Sequence, residues 1–397
     1  MPTQSHDKTR NGNAEKVAVY ASVGPRLVHW ELDSASAALT SRGTVTLPAN
    51  VQYAVAHPNG RFLYVASSNG TDGDTHHASA FRIGADGTLA AQGEPIALPH
   101  RPIHVTTDRT GAYLLLAFNK PRTVMVYKLG AQGGIGAAVS QPKAPDGGFF
   151  VHQVRVDRSN RVVLIAALGA DAAPGKREEM GQLTAFEFKA GVLTATASVV
   201  PGPGLGPRHL DFHPARPWVY VAIERGNKLH VHKLERGALS AKPVFAKDTL
   251  KEPGKVLPKQ RAGAIHVHPN GRFVYLSNRN DAVRNAGEGA AQRPVFAGGE
   301  NNLAVFALDA ETGEPTLIQH EDTQGFEPRT VAIDPGGRFL VAANQKALSV
   351  LEGGAVKPVA ASLALYRIGA DGKLTFIAKH DVTGGEAFWL GMVKVAR

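Results

Sequence analysis

The chain has 397 residues, of which 43% are hydrophobic and 20% charged, with 43 Gly and 25 Pro; that mixture supports a core but favours many short strands and turns over long helices. There is no cysteine, which excludes disulfides and thiolate chemistry and fits a reducing compartment. The formal net charge is +10, yet Lys and Arg are scattered without a dense basic block, which argues against nucleic acid or a membrane surface as partner and for the capture of a small anionic ligand.

Residues 1–15 precede the first apolar segment and are expected to form a disordered tail without a secretory signal. No later run approaches the roughly 20 apolar residues of a membrane-spanning helix, so the expectation is a soluble, cytoplasmic protein, a monomer or weak homo-oligomer. KVAVYASVG, from Lys16, and LVHWELD, at Leu27, are the first two strands. A pair of phrases then recurs six times. The first member combines a turn and a strand: HPNGRFLYVASS (from His57), DRTGAYLLLAFN (Asp108), DRSNRVVLIAAL (Asp157), HPARPWVYVAIE (His213), HPNGRFVYLSNR (His268) and DPGGRFLVAANQ (Asp334). The second is an alternating strand, as in ASAFRIGADGTL (Ala78), LHVHKLERGAL (Leu229) and LALYRIGADGKL (Leu363), often running into a Gly-containing hairpin turn.

Successive first phrases stand about 50 to 65 residues apart, room for about four strands each. With the pair at Lys16 there are seven units and no sustained 3.6-residue period, which predicts an all-β, seven-bladed β-propeller over residues 16–397. GEAFWLGMVKV near the C-terminus reads like the strand that precedes a turn phrase, and KVAVYASV like the strand that follows one. One blade is therefore expected to be assembled from both termini, closing the ring. DAVRNAGEGAAQRPVFAGGEN (281–301) is expected as a loop insertion on one face.

The turn phrase also serves as a ruler. Five positions before its first residue stand Gln52, Ile103, His152, Arg208, Gly263 and Arg329; eleven after it stand Ser68, Asn119, Leu168, Glu224, Arg279 and Gln345. In an antiparallel hairpin both offsets fall at the end opposite the turn, and in a propeller that end of every blade surrounds one mouth of the central channel. His152, Arg208, Glu224, Arg279, Arg329, Asn119 and Gln345 are thus expected to converge. Solvated strand ends are polar without being functional, but they favour Lys, Ser and Thr over a His, a Glu and three Arg at fixed offsets. His57, His213 and His268 open turn phrases where Asp also occurs and are expected as structural acceptors. His104 and His209 follow the mouth position by one residue, so strand alternation is expected to turn them away from it. His266 is expected to pack within its strand. PGPGLG (201–206) has no helix after it and is not a phosphate loop; the residues around His76, His77, Asp72 and Asp74 lack metal-ligand spacing, so no metal and no cofactor are expected.

HQV with LGAD (His152, Asp171), GPRHLDFHP (Arg208), YVAIE (Glu224), HPNGRFVYLSNR (Arg279) and PRTVAIDPGGRFLVAANQ (Arg329, Gln345) together resemble the propeller lactonase family. That family includes bacterial 6-phosphogluconolactonases of the propeller type and fungal 3-carboxy-cis,cis-muconate lactonising enzymes. The resemblance spans nearly the whole chain after the tail. It implies an active site at His152, Arg208, Glu224 and Arg279, with substrate contacts from Arg329, Asn119 and Gln345, and a small anionic lactone as substrate. Gly263 and Ala264 depart from it, standing where family members often carry an acidic residue. Lactone hydrolysis needs a base for a water proton, and Glu224 or His152 fills that role. The arginines suit a substrate anion and a developing oxyanion, Arg279 and Arg329 for the first and Arg208 nearer the chemistry. Bacterial sugar metabolism makes 6-phosphogluconolactone the expected substrate. A lactone-forming carboxymuconate enzyme and a non-catalytic binding propeller are the alternatives.

Overall fold

The computed structural model describes residues 16–287 and 292–395; the expected tail, 1–15, lies outside them. Seven antiparallel sheets stand around a central channel. Their innermost strands are, in order round the ring, Ala387–Lys394, Val51–Ala56, Pro102–Thr107, Val151–Val156, Pro207–Phe212, Arg261–Val267 and Phe326–Ile333; the blades are numbered 1 to 7 in that order. Blade 1 joins the two ends of the chain: Val17 to Val23 pair with Lys394 to Ala387. The ring is closed through this sheet, as the end sequences require, and leaves no open edge at the seam.

Each blade is covered on both faces by its neighbours, and an apolar cluster fills each of the seven junctions. That is why second strands such as FLYVASS (Phe62–Ser68) and WVYVAI (Trp218–Ile223) are buried at every position instead of alternating. Burying each large side chain contributes about 1.5–3 kcal/mol. Polar stitches repeat as well. His57, His213 and His268 accept backbone N–H groups of their own turns through Nδ1, at 2.9–3.2 Å. Through Nε2 they reach the carbonyls of Gly111, Gly271 and Gly337 in the next blade, at 3.1, 2.9 and 2.7 Å. The approach explains those glycines: at Gly271 (φ +73°) a Cβ would lie 2.8 Å from the His213 ring.

Two hairpins stand on the mouth face. The 281–301 insertion, expected as a loop, forms strands Val283–Ala286 and Arg293–Phe296 within blade 6. A second hairpin, Leu348–Glu352 with Ala355–Val359, extends from blade 7 and was not expected. Phe296 of the first packs on Phe326 of blade 7, ring centroids 4.5 Å apart.

Candidate active site

The inner strands carry a repeated irregularity where the mouth residues stand. Pairing with the second strand jumps from Val51 to Tyr53, from Val151 to Gln153, from Pro207 to His209 and from Pro328 to Thr330. Gln52, His152, Arg208 and Arg329 are each the extra residue of a β-bulge. A bulge interrupts the ladder and re-aims a side chain, so these residues are turned toward the channel. In blade 6 the pairing skips both Gly263 and Ala264. A Cβ on Gly263 would lie 2.3 Å from Ser277 Oγ and 3.3 Å from Arg279 Cδ, so the glycine that departs from the family pattern makes room for Ser277 and leaves Arg279 uncrowded.

The bulge also corrects one expectation. His104 and His209 do not turn away. The rings of His152 and His209 lie 5.1 Å apart, Tyr53 and His104 4.0 Å, and Tyr53 and His209 6.1 Å. Tyr53 belongs to blade 2 and His209 to blade 5, so they meet only across the channel. With an extra residue in the strand, two consecutive side chains face inward and simple alternation fails.

Glu224, at the end of the second strand of blade 5, is the centre of the ionic network. Its Oε2 lies 2.8 Å from Arg208 Nε and accepts from Arg279 Nη2 at 2.7 Å; its Oε1 accepts from Arg261 Nη1 at 2.9 Å. Arg279 also donates from Nη1 to Glu327, a residue held at φ 56°. Arg208 and Glu224 are only 1% and 2% exposed; they form a floor beneath the mouth, with Arg261 and Arg329 above them more accessible. Burial raises the Glu224 carboxyl, but the Arg279 and Arg208 guanidiniums outweigh it and hold the group far below the usual carboxylate range. Burial, with Arg279 and Arg329, lowers Arg208 to about 9, still a cation at neutral pH. Burial, with Arg208, holds His152 well below its ordinary value, so the imidazole is neutral, and its buried Nδ1 has no hydrogen-bond partner among the described residues.

Arg329 lies across the Phe388 ring, 4.2 Å from its centroid, and has no carboxylate partner among the described residues. Gln345 donates to Glu386 beside Phe388. Asn119 is buried on blade 3, and among the described residues its Oδ1 has no partner and it makes no hydrogen bond to the arginines. Arg101, Arg261 and Glu327 belong to the mouth but lie off the two offsets used above. They share a third: seven positions before the turn stand Asn50, Arg101, Phe150, Gly206, Arg261 and Glu327, two residues along the strand from the bulge position. Asp171, quoted with the family motifs, pairs instead with Arg225 at 2.7 Å and is largely exposed. At the other end of the channel Arg155 donates to Asp211 at 2.7 Å. His266, expected to pack within its strand, faces this space, its Nδ1 4.0 Å from Asp211 Oδ2, in a cavity of about 450 Å³.

Fold and mouth together define a seven-bladed propeller whose channel entrance gathers arginines in excess of carboxylates around a neutral imidazole. Residues 17–351 match the family model described as lactonase, 7-bladed β-propeller; the chain belongs to that family and is by class a lactone hydrolase. It is 30% identical over 379 residues to a 6-phosphogluconolactonase of Yersinia pestis (strain Pestoides F), covering 93% of this chain and 96% of that one. It is likewise 30% identical over 333 residues to a 6-phosphogluconolactonase of Pectobacterium carotovorum, covering 84% and 89%. The fold is shared with the periplasmic gluconolactonase of Pseudomonas aeruginosa, TM-score 0.73 and 22% identity over 96% of this chain and all of the other. Among the described residues no helix is long and apolar enough to cross a membrane.

Proposed function

We propose that this lactonase hydrolyses 6-phosphogluconolactone, the substrate in the names of its relatives, to the open-chain 6-phosphogluconate. The observation that carries the reading is the charge balance of the mouth: five guanidiniums (Arg101, Arg208, Arg261, Arg279, Arg329) and Lys346 against three carboxylates (Glu224, Glu327, Glu386), beside the neutral His152.

In this reading a water at the mouth attacks the lactone carbonyl carbon while His152 takes its proton. The carbonyl oxygen becomes an oxyanion held by Arg279, which reaches the mouth from the floor. As the tetrahedral centre collapses, the ring C–O bond breaks, and the departing oxygen takes the proton back from the His152 imidazolium. The products are a carboxylate and a hydroxyl, and the carboxylic acid gives one proton to solvent. Glu224 does not act as the base. Its carboxylate is claimed by three arginines, and a group held so far down has little affinity for a proton at neutral pH. It and Arg208 are positioning residues: Glu224 fixes Arg279, and Arg208 helps keep His152 neutral. The anionic end of the substrate lies toward Arg329. In this reading the enzyme acts in carbohydrate metabolism, in the cytoplasm.

The test is proton release at constant pH on adding 6-phosphogluconolactone to the purified protein, against the spontaneous rate. Acceleration that saturates with substrate is expected. No acceleration with this lactone, under conditions where the protein is folded, removes the proposed substrate.

A further inference from the structure

The arginines of the mouth fall into two groups. Arg208, Arg261 and Arg279 share Glu224 and Glu327. Arg101 and Arg329 have no carboxylate partner among the described residues. Arg101 is nevertheless fixed. Its Nε and Nη2 donate to Gln52 Oε1 at 3.0 and 2.8 Å, and its Nη1 donates to Thr71 Oγ1 at 3.1 Å. All three bonds are to neutral acceptors, so the guanidinium is oriented while its charge stays uncompensated. Beside it is a cavity of about 340 Å³ lined by Gln52, Ser68, Asn69, Arg101, Glu386 and Phe388. Phe388 also carries Arg329 on its ring. Glu386 brings no free negative charge, because Lys346 and Gln345 both donate to it.

The ring order gives this arrangement a direction. Arg329 is on blade 7, Phe388 on blade 1, Gln52 on blade 2 and Arg101 at the start of blade 3. His152 and the Glu224 floor occupy blades 4 to 6, so the two uncompensated cations bracket the sector opposite the chemistry. We propose that the pocket between Arg101 and Phe388 is a phosphoryl subsite, with Arg101 as the residue that selects phosphorylated over unphosphorylated lactones. The inference rests on the lactonase reading above and adds to it a specificity residue and a place for the phosphate. A dianion needs two donors whose charge is not already neutralised; a fork held ready by Gln52 meets it without a further ordering cost.

The experiment is kcat/KM for 6-phosphogluconolactone and for glucono-1,5-lactone in the wild type, in Arg101→Ala and in Gln52→Glu, which gives Arg101 a carboxylate partner without removing it. The expected result is that the ratio of the two kcat/KM values falls by roughly 10- to 100-fold in both variants, as expected when one charge-assisted hydrogen bond to the substrate is removed. An unchanged ratio in Arg101→Ala, with the wild-type preference for the phosphorylated lactone intact, overturns the subsite. If the wild type turns over neither lactone, the lactonase reading has failed by itself. Calorimetric titration with inorganic phosphate then decides the subsite. Binding by the wild type that is abolished in both variants upholds it, and no binding, or binding unchanged in Arg101→Ala, overturns it.

Discussion

Glu224→Gln separates the roles of the two groups that could take the water proton. The substitution keeps shape and removes one charge from a site that is 2% exposed and within 2.9 Å of three guanidiniums. Removing one partner of a buried ionic network costs about 3–5 kcal/mol, because the remaining charges are left buried and uncompensated. For a domain of this size that lowers Tm by about 4–6 °C. Glu352→Gln provides the scale: it breaks the exposed Lys357–Glu352 pair, with side chains 57% and 68% exposed, and costs less than about 1 kcal/mol. The kinetic outcome carries the decision. His152 has its ordinary value lowered, first by burial and then by Arg208. It is therefore competent at neutral pH and is lost as base only as pH falls below about 6.5 through its depressed value. In Glu224→Gln the acid limb of kcat/KM is expected to persist and move to lower pH, since a negative neighbour that favoured the imidazolium is gone. Differential scanning calorimetry and pH–rate profiles on the two variants and on His152→Asn test this together. A limb that vanishes in Glu224→Gln and survives in His152→Asn would make Glu224 the base and refute the argument.

Other consequences follow from the same groups. Arg279→Lys keeps a charge but cannot bridge Glu224 and Glu327 with one planar fork, so kcat should drop about 100-fold while KM changes less, as read from initial rates. Gly271→Ala meets both the His213 ring at 2.8 Å and a φ of +73°; it should cost about 1–3 kcal/mol by thermal melt with activity at 25 °C retained. Stability should fall as pH drops below 6.5. His104, His152 and His209 are held neutral by burial, with lowered values, so the unfolded chain binds the protons that the folded one refuses. Below about 4.5 the Glu224 network adds to this, because its carboxylate is depressed in the fold. A Tm that is flat from pH 7 to pH 4 would contradict both.

The fold was legible because each blade repeats one turn, and a turn has strong residue requirements. His57, Asp108, His213, His268 and Asp334 all accept N–H groups of their own turns, so His and Asp interchange there without hiding the period. The mouth was legible in part for the same reason: fixed distance from the turn became fixed position round the channel, bringing Arg208, Glu224 and Arg279 together. What escaped was local. The β-bulge has no sequence mark of its own, so alternation put His104 and His209 on the wrong side. Arg101, Arg261 and Glu327 sit two residues further along the strand; a ruler extended to that offset would have found them. The hairpin from 348 to 359 has no counterpart in blades 1 to 5, and a repeat cannot announce what it does not repeat.

The most direct test of the account is the hydrolysis rate of 6-phosphogluconolactone by His152→Asn, measured by proton release beside the wild type, with Tm recorded for both. The account predicts a wild-type rate far above the spontaneous one, and a variant that keeps its Tm within a few degrees while kcat falls by about 10²–10⁴-fold. A folded His152→Asn protein that opens the lactone as fast as the wild type would contradict it.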